Sequence, residues 1–349
     1  WLPFALLALI QLLRHPRPRH VATFVLFFCL QTLSSFYYGI LLALASALLV
    51  ICYWVAEMWN SGSALRGWFS SQRPAILSLL VAALLCGLIL LPFALPYFKV
   101  QAELGFERTL ADNEPFSASL QQYLMVPPES AVHGLWLPSE DKPLAGGYPV
   151  DALFPGLVAL ALAAWGLIRG RGRARWFFVL LLLVGFVLSL GPRLYLAPGQ
   201  PAGLDIPLPY AWLYAIVPGF KALRAPARFD VLVMLSLSVL AGYGVAALTK
   251  AWSTKRTLRL VVPGILLLVL LESLVWPAAK VEGVPVAGDV PPVYRWLAEQ
   301  PTGSILELPM AFAPGGPQLD YQYLSTYHWH TLSLIHISEP TRQLTQSRM

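Results

Sequence analysis

The stretch with the clearest chemical potential is short and cationic: Pro218-Gly219-Phe220-Lys221-Ala222-Leu223-Arg224-Ala225-Pro226-Ala227-Arg228-Phe229. Pro226 stands where an apolar helix is expected to begin, a position that tolerates its missing N–H. Lys221, Arg224 and Arg228 then gather at a helix N-terminus, which already carries about half a positive charge. Cations there are unfavourable unless an anion joins them. A phosphate or pyrophosphate headgroup would supply one, and arginine suits bidentate contact with it. The same three side chains could instead snorkel to ordinary lipid phosphates, with Asp230 as counter-charge.

A second group is acidic. Glu103, Glu107, Arg108, Asp112 and Glu114 crowd the stretch after Pro96, and Tyr123, Glu129, His133, Glu140 and Asp141 follow. A carboxylate beside a membrane surface could deprotonate a sugar hydroxyl or hold a divalent metal. No two of these acids fit a metal-ligand spacing, so no metal ligand is assigned and no cofactor is identified; the stretch reads equally well as a solvated, charged loop. Glu272 stands four residues before Trp276 in an apolar run, and an intramembrane acid is a functional candidate by default. Trp276 beside Pro277 marks an interface, which would let that carboxylate reach headgroup water. Cys29, Cys52 and Cys86 fall inside apolar runs at spacings that match no metal or redox motif.

The elements that must position these residues follow from composition. Among 349 residues, 57% are hydrophobic and only 12% charged, against about a quarter charged in soluble domains. An ordinary soluble globular protein is excluded, and the net charge of +6 is not by itself a nucleic-acid signature. A hydrocarbon core of about 30 Å needs roughly 20 apolar residues. Residues 74–96, 229–248 and 258–276 satisfy this directly, while 152–168 and 176–190 are shorter and borrow flanking residues. Lipid offers no partner for a bare backbone, so all should be helices.

The apolar run 21–55 is too long for one crossing, since about 35 residues make roughly 50 Å of helix. Its expected break is Ser34-Ser35-Phe36-Tyr37-Tyr38-Gly39, where hydroxyls can satisfy released backbone groups and glycine permits a turn. Two helices are expected, 21–33 and 38–55, the first of which could be re-entrant. Charge sorting supports the pair. One side then receives Arg14, Arg17 and Arg19; Arg66 and Arg73; Arg169, Arg171, Arg173 and Arg175; and Lys250, Lys255, Arg256 and Arg259, against the single acid Glu57. By the positive-inside rule that side is cytoplasmic.

The expected fold class is therefore an all-α polytopic membrane protein of about eight membrane segments. The transmembrane domain is 1–277, with a first segment near 1–13 that reads as the tail of a truncated span. An exoplasmic loop occupies 97–150. Residues 209–220, interrupted by Pro218 and Gly219, read as an interfacial helix. Residues 278–331 have mixed composition: an amphipathic run over 293–300 and a strand over 304–308 suggest the opening of an exoplasmic α/β unit. From Leu332 to Arg342 the chain reads LSLIHISEPTR. This resembles the in-frame translation of a transposase sequencing adaptor, so 332–349 is expected to be read-through and is set aside.

Several phrases resemble a group of large bacterial multipass proteins similar to the GT-C glycosyltransferases and to membrane proteins implicated in lipoteichoic acid glycosylation. They are Leu30 to Gly39 (LQTLSSFYYG); Val217-Pro218-Gly219-Phe220 with Arg224 to Phe229; Val293-Tyr294-Arg295-Trp296-Leu297 with Glu307-Leu308-Pro309; and Tyr323 to Trp329. The resemblance implies a transferase of the bacterial cytoplasmic membrane that takes a sugar from a polyprenyl-phosphate carrier on the exoplasmic face. It places the catalytic carboxylate in the first exoplasmic loop, a region expected to precede Trp1, so no residue here inherits that role. Arg224 and Arg228 would at most hold the carrier phosphate. The rival class is a non-catalytic envelope protein: a flippase, transporter or polymer-assembly factor. A transporter should show broken helices and midplane charges, which are few here.

Overall fold

The computed structural model describes residues 1–61, 65–104, 109–127, 130–132, 152–203, 206–217, 219–251, 255–275, 285–308 and 318–332. Most of these are helical. Four helices come first: α1 (Leu2–Arg14), α2 (Pro18–Ser34), α3 (Phe36–Ser61) and α4 (Leu65–Leu104). After short 3-10 turns at Ala111–Phe116 and Gln121–Leu124 come α5 (Leu157–Arg169) and α6 (Ala174–Ser189). A small hairpin follows, β1 (Tyr195–Ala197) with β2 (Gln200–Pro201), then α7 (Pro209–Ile216), α8 (Asp230–Ala251) and α9 (Lys255–Glu272). Among the described residues, three stretches, Phe36–Trp59, Gly67–Val100 and Pro226–Lys250, are long and apolar enough to cross a bilayer. The shorter apolar helices are Leu2–Arg14, Leu157–Arg169, Ala174–Ser189 and Leu260–Glu272.

The break in the long apolar run comes at one residue. Ser35 is extended (φ −165°, ψ 116°) between α2 and α3. Hydroxyls occupy the carbonyls around it: Thr32 donates to Phe28 O at 2.9 Å and Ser34 to Leu30 O at 2.7 Å. Gly39 lies so near Thr32 that an added Cβ would meet its Oγ1 at 2.7 Å. The glycine is needed for the close return of α3 rather than for an unusual backbone angle.

Helix α4 differs from expectation. It covers 40 residues, roughly 60 Å, so it passes well beyond residues 74–96 and absorbs the first part of the expected exoplasmic loop. Pro74, Pro92 and Pro96 lie inside it. Leu77, Leu80, Leu84, Leu88, Leu91 and Leu95 form an outward stripe, each at least half exposed. Such a contiguous apolar face fits hydrocarbon and not water.

The core joins two helix groups. In the first, Leu2, Leu6, Leu9 and Leu13 of α1 and Val21, Phe24, Val25 and Cys29 of α2 pack with Leu41, Leu42 and Ala45 of α3 and Ala82 and Cys86 of α4. In the second, α8 lies between α5 and α6. Glycines permit the approach: a Cβ on Gly166 would meet Leu240 O at 2.1 Å, one on Gly244 would meet Leu162 O at 2.1 Å, and one on Gly185 would meet Leu232 Cβ at 2.9 Å. Close backbone approach of this kind is how helices pack where lipid is the surroundings. Leu181, Leu188 and Phe229 of the second group belong to the same continuous core as the first.

Beyond residue 285 lies a small mixed unit: α10 (Pro292–Ala298), β3 (Ser304–Ile305), α11 (Gln318–Leu324) and β4 (Thr331–Leu332). Strands β3 and β4 pair in parallel over two residues each, shorter than the strand expected over 304–308. Leu332, assigned from sequence to the adaptor-like tail, pairs with Ile305; 333–349 lie outside the described residues.

Candidate functional site

The cationic stretch folds as two short turns on an aromatic base. Helix α7 ends at Ile216, and Gly219 turns the chain at φ +90°, a conformation that favours glycine. A 3-10 turn at Phe220–Ala222 and another at Pro226–Phe229 then lead into α8. Phe220, Phe229 and Tyr210 of α7 are fully buried, with ring centroids 5.8 to 6.3 Å apart. Burying these rings leaves Lys221 and Arg228 exposed and Arg224 half-buried.

Two other segments hold this stretch in place. Tyr210 Oη donates to Leu223 O at 3.2 Å and accepts from Asn113 Nδ2 at 3.1 Å. Tyr37, in the first turn of α3, donates its hydroxyl to Ala225 O. Each arginine lies over a ring: the Arg228 guanidinium is 5.0 Å from the Tyr37 centroid, and that of Arg224 is 4.2 Å from the Phe116 centroid. Cation–π contact orients a guanidinium without neutralising it.

Two residues after Arg228 stands an acid. Asp230 opens α8 and is buried. Beside it, Tyr123 Oη lies 2.7 Å from Ser189 Oγ, which itself donates to Phe186 O. Burial pushes the Tyr123 phenol up; its bond to Ser189 opposes this and the Asp230 carboxylate adds to it. The tyrosine therefore stays protonated, able to donate.

The acidic stretch divides. Asp112 accepts from Thr109 N at 2.7 Å and Thr109 Oγ1 at 2.9 Å, closing a local turn. Glu114 accepts from Tyr195 Oη at 2.9 Å and faces Arg193 Nε at 3.5 Å, tying this turn to the β1–β2 hairpin. Burial, with Glu114 second, pushes the Tyr195 phenol up to about 12. Glu103 belongs to the last turn of α4 rather than to a loop. Glu107, Arg108 and His133 lie outside the described residues, as do Glu129, Glu140 and Asp141. Among the described residues, no group of three or more His, Cys, Asp or Glu is placed to hold a metal ion.

Glu272 has a structural task. Its carboxylate accepts from Leu157 N and from Val158 N (2.9 and 3.1 Å) at the start of α5. An anion at a helix N-terminus, shared with two N–H groups, is a stabilising cap. Gly156 (φ +95°) makes room: a Cβ there would meet Glu272 Oε2 at 2.8 Å.

Arg224 and Arg228 thus lie over Phe116 and Tyr37 beside the start of α8, on a stretch that Tyr210 and Asn113 anchor through Leu223 O. Sequence reasoning identified the cations and missed this setting, although Tyr37 stood in the stretch already marked as a break between two helices. In the C-terminal unit, Tyr294 Oη donates to Glu307 Oε2 at 2.7 Å and its ring stacks on His328 at 5.9 Å. No family model matches the chain, and no match exists among the curated proteins or the solved structures compared with it.

Proposed function

We propose that this chain is part of an integral membrane glycosyltransferase-like protein that takes a sugar from a polyprenyl-phosphate carrier on the exoplasmic face of a bacterial cytoplasmic membrane. The carrier phosphate would be held by Arg224 and Arg228, with Lys221 at the rim. The observation that carries the reading is the pair of arginines set over Tyr37 and Phe116 beside the start of α8. Ring contact fixes the direction of each guanidinium, and an arginine so oriented suits bidentate donation to a phosphate. Charge sorting along the sequence, with about eight membrane segments, puts that end of the bundle outside. The catalytic base is not assigned to any residue of this chain.

The test uses purified protein in nanodiscs and a labelled polyprenyl-phosphate sugar. The double variant Arg224→Ala with Arg228→Ala should weaken donor binding about a hundredfold, as expected for two charge-assisted contacts of about 1.5 kcal/mol each. Unchanged donor affinity would assign both arginines to anchoring in ordinary lipid and favour a non-catalytic envelope protein.

A further inference from the structure

At the far end of α2 from Tyr37, about 25 Å away along the helix, lies a cleft that the proposed function does not use. It has a volume of about 480 Å³ and is lined by Gln11, His15, Arg19, His20 and Thr23. That is within the few-hundred-Å³ range of small-ligand clefts. We infer that this cleft, at the turn between α1 and α2, binds a phosphoryl anion.

Three of its five lining residues are basic or imidazole side chains, and none is acidic. Arg14 and Arg17 lie in the same turn of chain, and the first turn of α2 contains no acid. The nearest acid on α3, Glu57, lies with Arg14 around Tyr53, whose hydroxyl donates to Leu13 O at 3.3 Å. It does not line the cleft.

The geometry also prepares the site. Arg19 Nε donates to His20 Nε2 at 3.2 Å, so that nitrogen must be an acceptor and the ring proton is on Nδ1. His20 Nδ1 then donates to His15 O at 2.6 Å. The buried imidazole links the end of α1 to the Arg19 guanidinium and limits its rotation. The Nη groups of Arg19 take no part in that bond. They, with the exposed His15 ring and the Gln11 amide, supply the donors that phosphoryl oxygens accept from.

The source of the phosphoryl group is either an anionic lipid headgroup or a soluble phosphate compound, and the measurement separates them. Full-length protein in neutral detergent is titrated with phosphatidylglycerol, phosphatidylcholine and inorganic pyrophosphate, and bound ligand is counted by native mass spectrometry. Preferential retention of phosphatidylglycerol that pyrophosphate does not displace supports a lipid source; binding or displacement by pyrophosphate supports a soluble one. In either case the Arg19→Gln, His15→Gln variant should lose about tenfold in occupancy. Arg19→Lys, which keeps the charge and strains no packing, should lose about threefold. The Arg171→Gln, Arg173→Gln variant, in the turn before α6, should match the parent. Equal occupancy by phosphatidylglycerol and phosphatidylcholine with no pyrophosphate binding overturns the inference. So does a loss in the Arg171 and Arg173 variant equal to that in the Arg19 variant.

Discussion

Helices α2 and α8 both begin among cations, and the two starts are built differently. At α8, Arg224 and Arg228 lie over Phe116 and Tyr37, and the first helical residue is the buried Asp230. At α2, Arg17 occupies the N-cap position in extended conformation with no side-chain cap bond, and the first turn contains Arg19 and no acid. A helix N-terminus repels cations and attracts anions. The first turn of α8 thus contains a buried acid, whereas the first turn of α2 contains none. The lesson is that a basic cluster in a membrane protein cannot be read by counting charges. What matters is which groups the fold sets beside the charges.

The largest effect should come from removing that buried acid. Asp230→Ala removes the acid from the positive end of α8 and takes a neighbour from Tyr123; thermal unfolding in detergent should show a loss of about 2 kcal/mol. An Asp230→Ala protein as stable as its parent would erase the distinction between the two starts. The converse change is Arg17→Asp, which gives α2 an acid in the capping position. It should stabilise the protein by about 1 kcal/mol and reduce occupancy of the α1–α2 cleft by whichever of phosphatidylglycerol and pyrophosphate the parent binds. Stabilisation without reduced occupancy would detach the ligand from the helix start.

A smaller effect is expected for Tyr37→Phe. The ring under Arg228 is kept and only the bond to Ala225 O is lost, so stability should fall by about 0.5 to 1 kcal/mol. Donor binding should fall less than in the arginine double variant. The smallest effect lies outside both helix starts and serves as their control. Burial first, then His330, lowers the His328 pKa from its ordinary value of 6.5, and Glu307 opposes the shift. The folded state therefore favours the neutral ring: its contribution is complete above about pH 6.5 and is lost as pH falls through the lowered value. Hydrogen exchange should show faster opening of α10 at pH 5 than at pH 7.5, an acceleration that His328→Gln removes.

Much of the helical framework was legible because its cause is local. The break near Ser35 could be placed since hydroxyls and a glycine interrupt an apolar run too long for one crossing; α6 and α8 lie within three residues of the expected bounds, whereas α5 begins at Leu157, five residues after the expected start. Helix α4 was misjudged in length because mean apolarity marks what suits lipid, while the backbone continues helical into the polar stretch that contains Glu103. The site was legible only as a list of cations. Tyr37 reaches Ala225 across 188 residues and Asn113 reaches Tyr210 across 97; no local pattern encodes either pair. Glu272 shows the same gap from the other side, since an acid in an apolar run looks functional until Leu157 and Val158, 115 and 114 residues away, are seen to donate to it.

By itself the sequence determined that this chain is helical and suited to lipid, because so few charges in so much hydrocarbon leave the backbone no partners but its own. Charge order along the chain added an expected orientation. Only the tertiary structure decided which arginines lie over rings, which acids cap helices or close turns, and which cleft gathers His15, Arg19 and His20 with no acid in its lining. Those outcomes depend on distances between residues remote in the chain, and such distances exist only once the helices have packed.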